Sequence, residues 1–275
     1  MAASSLGACM FFRTLDDLSA GTSHAGAISD GASGADAAPP AEGGLLDGPP
    51  ADSGAAGHCV VVDPSIARGE APKLQRCFDY DDPDAGPSLR AESPATISVE
   101  PDDGPSPPNA VVARAPALPS SSANARHVVD VPLVARRVEM AFSVRVEPPS
   151  TQSGDYMQIA SFFRDNVYTY LIYDPANAKL FFSEQDQRDG GLVNTTLSHG
   201  VVAVDLTQWH RVVFDLDFVG GRSSLRVVGG GATLDEPLQW PEVNWYGTAW
   251  LGTSFVYGTQ APLAMHFDDF ALTVW

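Results

Sequence analysis

Gln208-Trp-His-Arg-Val-Val-Phe-Asp-Leu-Asp-Phe218, then Val219-Gly-Gly-Arg222 and Ser223-Ser-Leu-Arg-Val-Val-Gly229, decides the fold. His210, Val212, Phe214, Leu216 and Phe218 share one parity, and Arg211, Val213, Asp215 and Asp217 the other. Alternation over this length describes a strand with one buried and one largely wet face. Gly220-Gly221 supplies the turn, because glycine takes positive φ at no steric cost. The wet face, Arg211, Asp215 and Asp217, reads as solvated sheet rather than as a site.

Further strands follow at intervals of about 10–15 residues, punctuated by Pro, Gly and Asp. They are read at 75–80, 96–100, 110–115, 126–131, 138–147, 156–163, 167–173, 179–185 and 193–199, then at 233–238, 249–257 and 263–274 after the hairpin. No segment shows 3.6-residue periodicity. The pattern is that of an all-β, two-sheet antiparallel sandwich. Val138, Met140, Phe142, Val144 and Val146 face in, and Glu139, Ser143, Arg145 and Glu147 face out. Tyr156–Phe163 and Tyr168–Tyr173 carry large residues on both faces, as central strands do. In the last strand Leu263, Met265 and Phe267 keep one parity, whereas Phe270, Leu272 and Val274 keep the other. The slip predicts a β-bulge at Asp268-Asp269, with one Asp pointing inward and needing donors or a cation.

The chain has 275 residues and a formal charge of −18. Such acidity argues against nucleic acid, whose phosphates need a Lys/Arg footprint. It serves solubility, or divalent-cation binding by Asp clusters. Arginine outnumbers lysine and small residues abound, which suits a GC-rich bacterial genome. No apolar run reaches the ~20 residues of a transmembrane helix.

Leu6-Gly-Ala-Cys9 resembles the bacterial lipobox, in which the cysteine is lipidated and becomes the mature N-terminus. The basic and apolar regions of a signal peptide do not precede it. Residues 1–18 are therefore read as a lipoprotein-signal remnant, 19–57 as a disordered Ala/Gly/Ser/Pro/Asp tether, 58–73 as a connector and 74–275 as the β domain. In an exported protein Cys59 and Cys77 would pair, closing a loop worth roughly 3 kcal/mol. Cys9 would remain for lipidation. The competing reading is two reduced, buried cysteines.

With these residues in place, the chain resembles the concanavalin A-like lectin/glucanase superfamily, in its laminin-G-like branch. Trp209-His-Arg-Val212 with Leu225-Arg-Val-Val228 matches a strand–hairpin element of those domains, although Gly229-Gly-Gly231 replaces the usual Asp-Gly. Met265-His-Phe-Asp-Asp-Phe-Ala-Leu272 resembles their closing strand, and Arg76-Cys-Phe-Asp-Tyr-Asp-Asp82 an opening of secreted bacterial members. The resemblance implies a jelly roll of about 200 residues.

Glucanases of this superfamily carry Glu-x-Asp-x-x-Glu, supplying two carboxyls about 5–5.5 Å apart for a retaining mechanism. Glu184-Gln-Asp186-Gln-Arg-Asp189 is a near miss: Glu184 and Asp186 share a strand face, but Asp189 abuts Gly190-Gly191. The segment reads as a solvated hairpin tip. Sugar binding uses aromatic platforms with polar neighbours. Tyr168, Tyr170, Trp240, Asn244, Trp245, Tyr246, Trp250 and Tyr257 are candidates, with packing as the competing role. Calcium candidates are Asp79, Asp81, Asp82 and Asp84, Asp102-Asp103, and Asp268-Asp269, although Asp-Pro and Asp-Gly also form turns. No cofactor is expected beyond a possible structural calcium.

The sequence thus points to a monomeric, surface-tethered, non-catalytic sandwich of the bacterial envelope or exterior, as an outer-membrane lipoprotein would be, binding glycan or an envelope protein. The alternatives are a degenerate or active glycoside hydrolase-like enzyme and a purely structural envelope protein.

Overall fold

The computed structural model describes residues 71–81, 88–102, 104–117, 122–147, 156–164, 167–186, 194–197, 200–230, 233–241, 245–257 and 262–275. All belong to one compact unit, Ser53–Trp275. Sixteen strands form two antiparallel sheets, and no α-helix occurs among the described residues. Among the described residues no helix is long and apolar enough to cross a membrane.

The first sheet, sheet A, runs β14 (Thr233–Pro237), β13 (Arg222–Val227), β12 (His210–Asp217), β6 (Arg137–Val146), β16 (Leu263–Val274), β4 (Asn109–Ala115) and β3 (Thr96–Pro101). β1 (Leu74–Phe78) pairs with the second half of β16. The second, sheet B, runs β10 (Asn194–Leu197), β9 (Lys179–Asp186), β8 (Val167–Asp174), β7 (Met157–Arg164), β15 (Trp245–Tyr257), β5 (Ser122–Ala135) and β2 (Leu89–Glu92). β11 (Val202–Ala203) pairs with β9. The β12–β13 hairpin forms as its alternation demands, with Gly221 at φ 63° in the turn. β2 and β11 were not legible as strands, being only four and two residues long.

Inward residues of both sheets make one core. Met140, Phe142, Val144, Phe214 and Leu216 of sheet A meet Phe162, Leu171, Phe182 and Leu251 of sheet B. Phe182 stacks on Phe214 at 5.5 Å between ring centres. Each such fully buried side chain contributes about 1.5–3 kcal/mol through area removed from water.

The bulge lies where the phase slip places it. β16 loses register with β6 between Asp268 and Ala271, and Asp269 has φ 51°. Asp268 is not the inward Asp expected there. Asp268 pairs with Ser143, so it shares that residue's outward face. It is nevertheless fully buried, because Ser106 covers it: the Ser106 N–H and Oγ–H donate to Asp268 Oδ2 at 3.1 and 2.7 Å.

The outer face of sheet A also departs from the expected solvated surface. Ala141, Val213 and Ala271 form a small buried apolar cluster there. Glu139 and Ser143 are buried. Arg211 donates to the Asp269 carbonyl at 2.7 Å, and Arg137 forms two hydrogen bonds with Asp215. Long charged side chains fold over small ones, so outward parity does not mean exposure.

Candidate functional site

The outer face of sheet B gathers the strongest candidate. Two register rows cross it. One reads Gln185, Tyr168, Phe163, Thr248, Asp130. The next reads Ser183, Tyr170, Ser161, Trp250, Val128. Their chain neighbours Leu171, Phe162, Ala249 and Phe182 point into the core, so these rows point away from it.

The rings form a connected stripe. Tyr168 and Tyr170 lie parallel, 5.5 Å apart and 7° between planes. Phe163 sits 4.4 Å from Tyr168 and 6.3 Å from Trp250. Tyr170, Ile172 and Phe181 make a separate apolar cluster, with Tyr156 and Tyr168 packed against it. Arg126 caps the stripe, its guanidinium carbon 4.0 Å from the centre of the Trp250 ring, in cation–π geometry. Arg90 of β2 pairs in register with Arg126. Ser161 is fully buried between Tyr170 and Trp250, and its hydroxyl has no hydrogen-bond partner.

Burial pushes the Tyr168 and Tyr170 phenols upward, and Arg126 partly offsets this. Both remain neutral O–H groups at physiological pH, able to donate and accept. Burial lowers the Arg126 pKa, Glu92 opposes that shift, and Arg90 adds to it by like-charge repulsion.

Tyr246, the second residue of β15, is 68 % exposed and shares the parity of Thr248 and Trp250. Trp245 contributes backbone to β15. Asn244, Asp189, Asp82, Asp84, Asp103, Cys9 and Cys59 lie outside the described residues.

Glu184 and Asp186 do share a face, but it is not a solvated tip: both are buried on the inward side of β9. Glu184 Oε2 accepts the Gln239 N–H at 2.6 Å, and Arg164 donates to the Trp240 carbonyl while its guanidinium lies 4.1 Å over Phe218. Burial raises the Glu184 pKa, whereas the Gln239 N–H and the nearby Arg164 lower it. Sequence reasoning missed this because a strand can carry inward carboxylates only where a cation and backbone donors meet them across the sandwich. Trp240 is thus held by its backbone, with its ring half-buried.

On sheet A, His266 lies between Asp102 (Nδ1 to Oδ2, 2.6 Å) and Glu147 (Nε2 to Oε1, 2.8 Å). Arg145 bonds Asp102 and lies near the Trp209 ring. Arg114 pairs with Glu100 and holds that carboxyl down to about 2. Arg114 and Glu147 also line a cleft of 540 Å³ with Thr96, Leu263 and Ala264.

Among the described residues no group of three or more His, Cys, Asp or Glu side chains is arranged to hold a metal ion. Asp81 Oδ1 instead accepts from the N–H and Nδ2 of Asn109, both at 3.0 Å. Asp79 caps the same turn by accepting the Asp81 N–H.

No family model matches the chain, and no curated protein matches it in sequence. Solved structures do. An endo-beta-1,4-glucuronan lyase from the fungus Trichoderma reesei superposes with TM-score 0.55 at 14 % identity, over 74 % of this chain and 96 % of that one. The likeness is one of fold. A family-7 alginate lyase superposes with TM-score 0.43 at 11 % identity, over 64 % of this chain and 83 % of that one. A botulinum neurotoxin binding domain gives TM-score 0.44 at 14 % identity, over 66 % of this chain and 42 % of that one.

Proposed function

We propose that the β domain is a carbohydrate-binding module whose ligand lies on the outer face of sheet B. The observation that carries this reading is the aromatic stripe Tyr170–Tyr168–Phe163–Trp250, set across adjacent strands where a sheet normally shows polar side chains to water. Sugar rings present apolar C–H faces and polar edges. A row of aromatic faces flanked by Gln158, Gln185, Thr248 and Arg126 complements both. The endo-beta-1,4-glucuronan lyase that shares the fold is named for a polysaccharide, which agrees in kind without identifying the ligand.

The module is read as non-catalytic, because the near-miss carboxylates Glu184 and Asp186 face the core and Glu184 is engaged by the Gln239 backbone. Export, a lipid anchor at Cys9, a Cys59–Cys77 bridge, the envelope location and a monomeric state complete the proposal. The sulfur of Cys77 is bonded rather than free, which supports the bridge. Thiol alkylation with and without reduction, followed by peptide mass mapping, tests it: a freely alkylated Cys59 in unreduced protein would remove the bridge. Binding to immobilised polysaccharides, compared with that of Trp250→Ala, tests the module itself.

A further inference from the structure

The sheet B stripe ends on two arginines, and their placement is costly. Arg90 and Arg126 stand directly opposite each other on neighbouring strands. Like charges in that position destabilise a sheet. The chain has only 16 Lys and Arg against 34 Asp and Glu, so positive charge is scarce. Yet two cations adjoin the aromatic stripe. Glu92 approaches Arg126 at only 3.6 Å, is itself 65 % exposed, and accepts from Asn124 at 2.7 Å. It offsets the repulsion weakly, since exposed pairs contribute little. Arg126 is meanwhile partly desolvated and held with its guanidinium carbon 4.0 Å from the centre of the Trp250 ring, so less side-chain entropy remains to be lost on binding.

Resting on the carbohydrate reading above, we infer that this site selects acidic polysaccharides, with Arg126 and Arg90 taking the carboxylate of a uronic acid whose ring lies along the Tyr168 and Trp250 row. A guanidinium offers two parallel N–H donors that match the two oxygens of a planar carboxylate. The Tyr168 and Tyr170 hydroxyls, carried on the same face of sheet B as Trp250, can serve the neighbouring ring hydroxyls. The acidic remainder of the protein repels a polyanion at long range. Recognition therefore depends on these two side chains rather than on a general field, which is screened beyond about 8 Å at physiological salt.

The test is titration calorimetry of the full chain with matched pairs: polyglucuronate, polygalacturonate and alginate, each beside its carboxyl-reduced neutral form. At least one polyuronate binds about tenfold to a hundredfold more tightly than its reduced partner, the ratio expected for a charge-assisted hydrogen-bonded contact. Arg126→Gln and Arg90→Gln bring that ratio close to one and leave the melting temperature within a few degrees. Arg126→Lys fails to restore it, because an ammonium lacks the planar fork. Equal binding of both forms, or equal binding of dextran sulfate, overturns the carboxylate selectivity while leaving a neutral-sugar or charge-driven module intact. Binding of no glycan by the wild type removes the carbohydrate reading as well.

Discussion

His127 is fully buried between the sheets, with Nδ1 2.8 Å from the Tyr80 hydroxyl and Nε2 2.7 Å from Ser88 Oγ. Phe78 and Phe270 pack edge-on against its ring. Burial pulls its pKa from 6.5 to about 4. Between those values the unfolded chain binds a proton that the folded chain refuses. Stability is therefore lost as pH falls from 6.5 to about 4, by roughly 3 kcal/mol at the limit. Asp268 has the opposite sign: burial first, then Asp269, lifts its carboxyl to about 6 against the donors of Ser106. The folded chain holds the extra proton there, so Asp268 favours folding at low pH and loses that contribution as pH rises through 6. In the overlap the two slopes oppose each other. Urea unfolding at pH 4, 5 and 6 should show a shallow pH dependence for the wild type. For Asp268→Asn it should show a steep loss of stability on acidification, and for His127→Gln a loss on alkalinisation. Parallel curves for all three proteins would refute the assignment. Glu184 makes a separate prediction. Glu184→Ala leaves the Gln239 N–H unpaired and Arg164 without its nearby charge, which costs about 2–4 kcal/mol. A change below about 0.5 kcal/mol in the same assay would show that Glu184 does not hold this segment.

At the scale of the element, the bulge in β16 converts a one-residue phase slip into a functioning strand. Asp269 sits at φ 51°, where Gly and Asn are tolerated and β-branched residues are strained. Asp269→Val should lower stability by about 2 kcal/mol and Asp269→Gly by much less, measured as unfolding midpoints at constant m. A reversed order would mean that the Asp269 side chain, not its backbone, matters. Gly247 makes a comparable demand in β15, since an added Cβ would lie 2.8 Å from the Phe163 carbonyl oxygen. The strands themselves were largely legible, because parity along β6, β12 and β16 is sequence information about one buried face. What parity could not supply was the fate of the other face. On sheet A, Glu139 and Ser143 are outward yet buried and Arg211 is half-buried, because their partners come from strands distant in the chain. On sheet B, Tyr168, Tyr170 and Trp250 were readable as candidates one by one. Phe163, Arg126 and Arg90 joined them only through the register of β7, β15, β5 and β2.

Across the whole molecule the two outer faces divide their chemistry. Sheet A carries ion pairs and the Asp102–His266–Glu147 chain, which tie neighbouring strands together. Sheet B carries aromatic rings with a buried, unpartnered Ser161 hydroxyl beneath them. Rings on the outer face of a sheet contribute less to folding than core rings do, so removing one should separate binding from stability. The most direct measurement is affinity electrophoresis through gels cast with individual polysaccharides, run on the wild type, Tyr168→Ala and Trp250→Ala, with thermal melts alongside. The sheet B platform predicts retardation of the wild type by at least one polysaccharide. It also predicts a loss of about tenfold or more in affinity for both variants, at melting temperatures within about 5 °C of the wild type. Variants retarded as strongly as the wild type, or a wild type retarded by none, would contradict it.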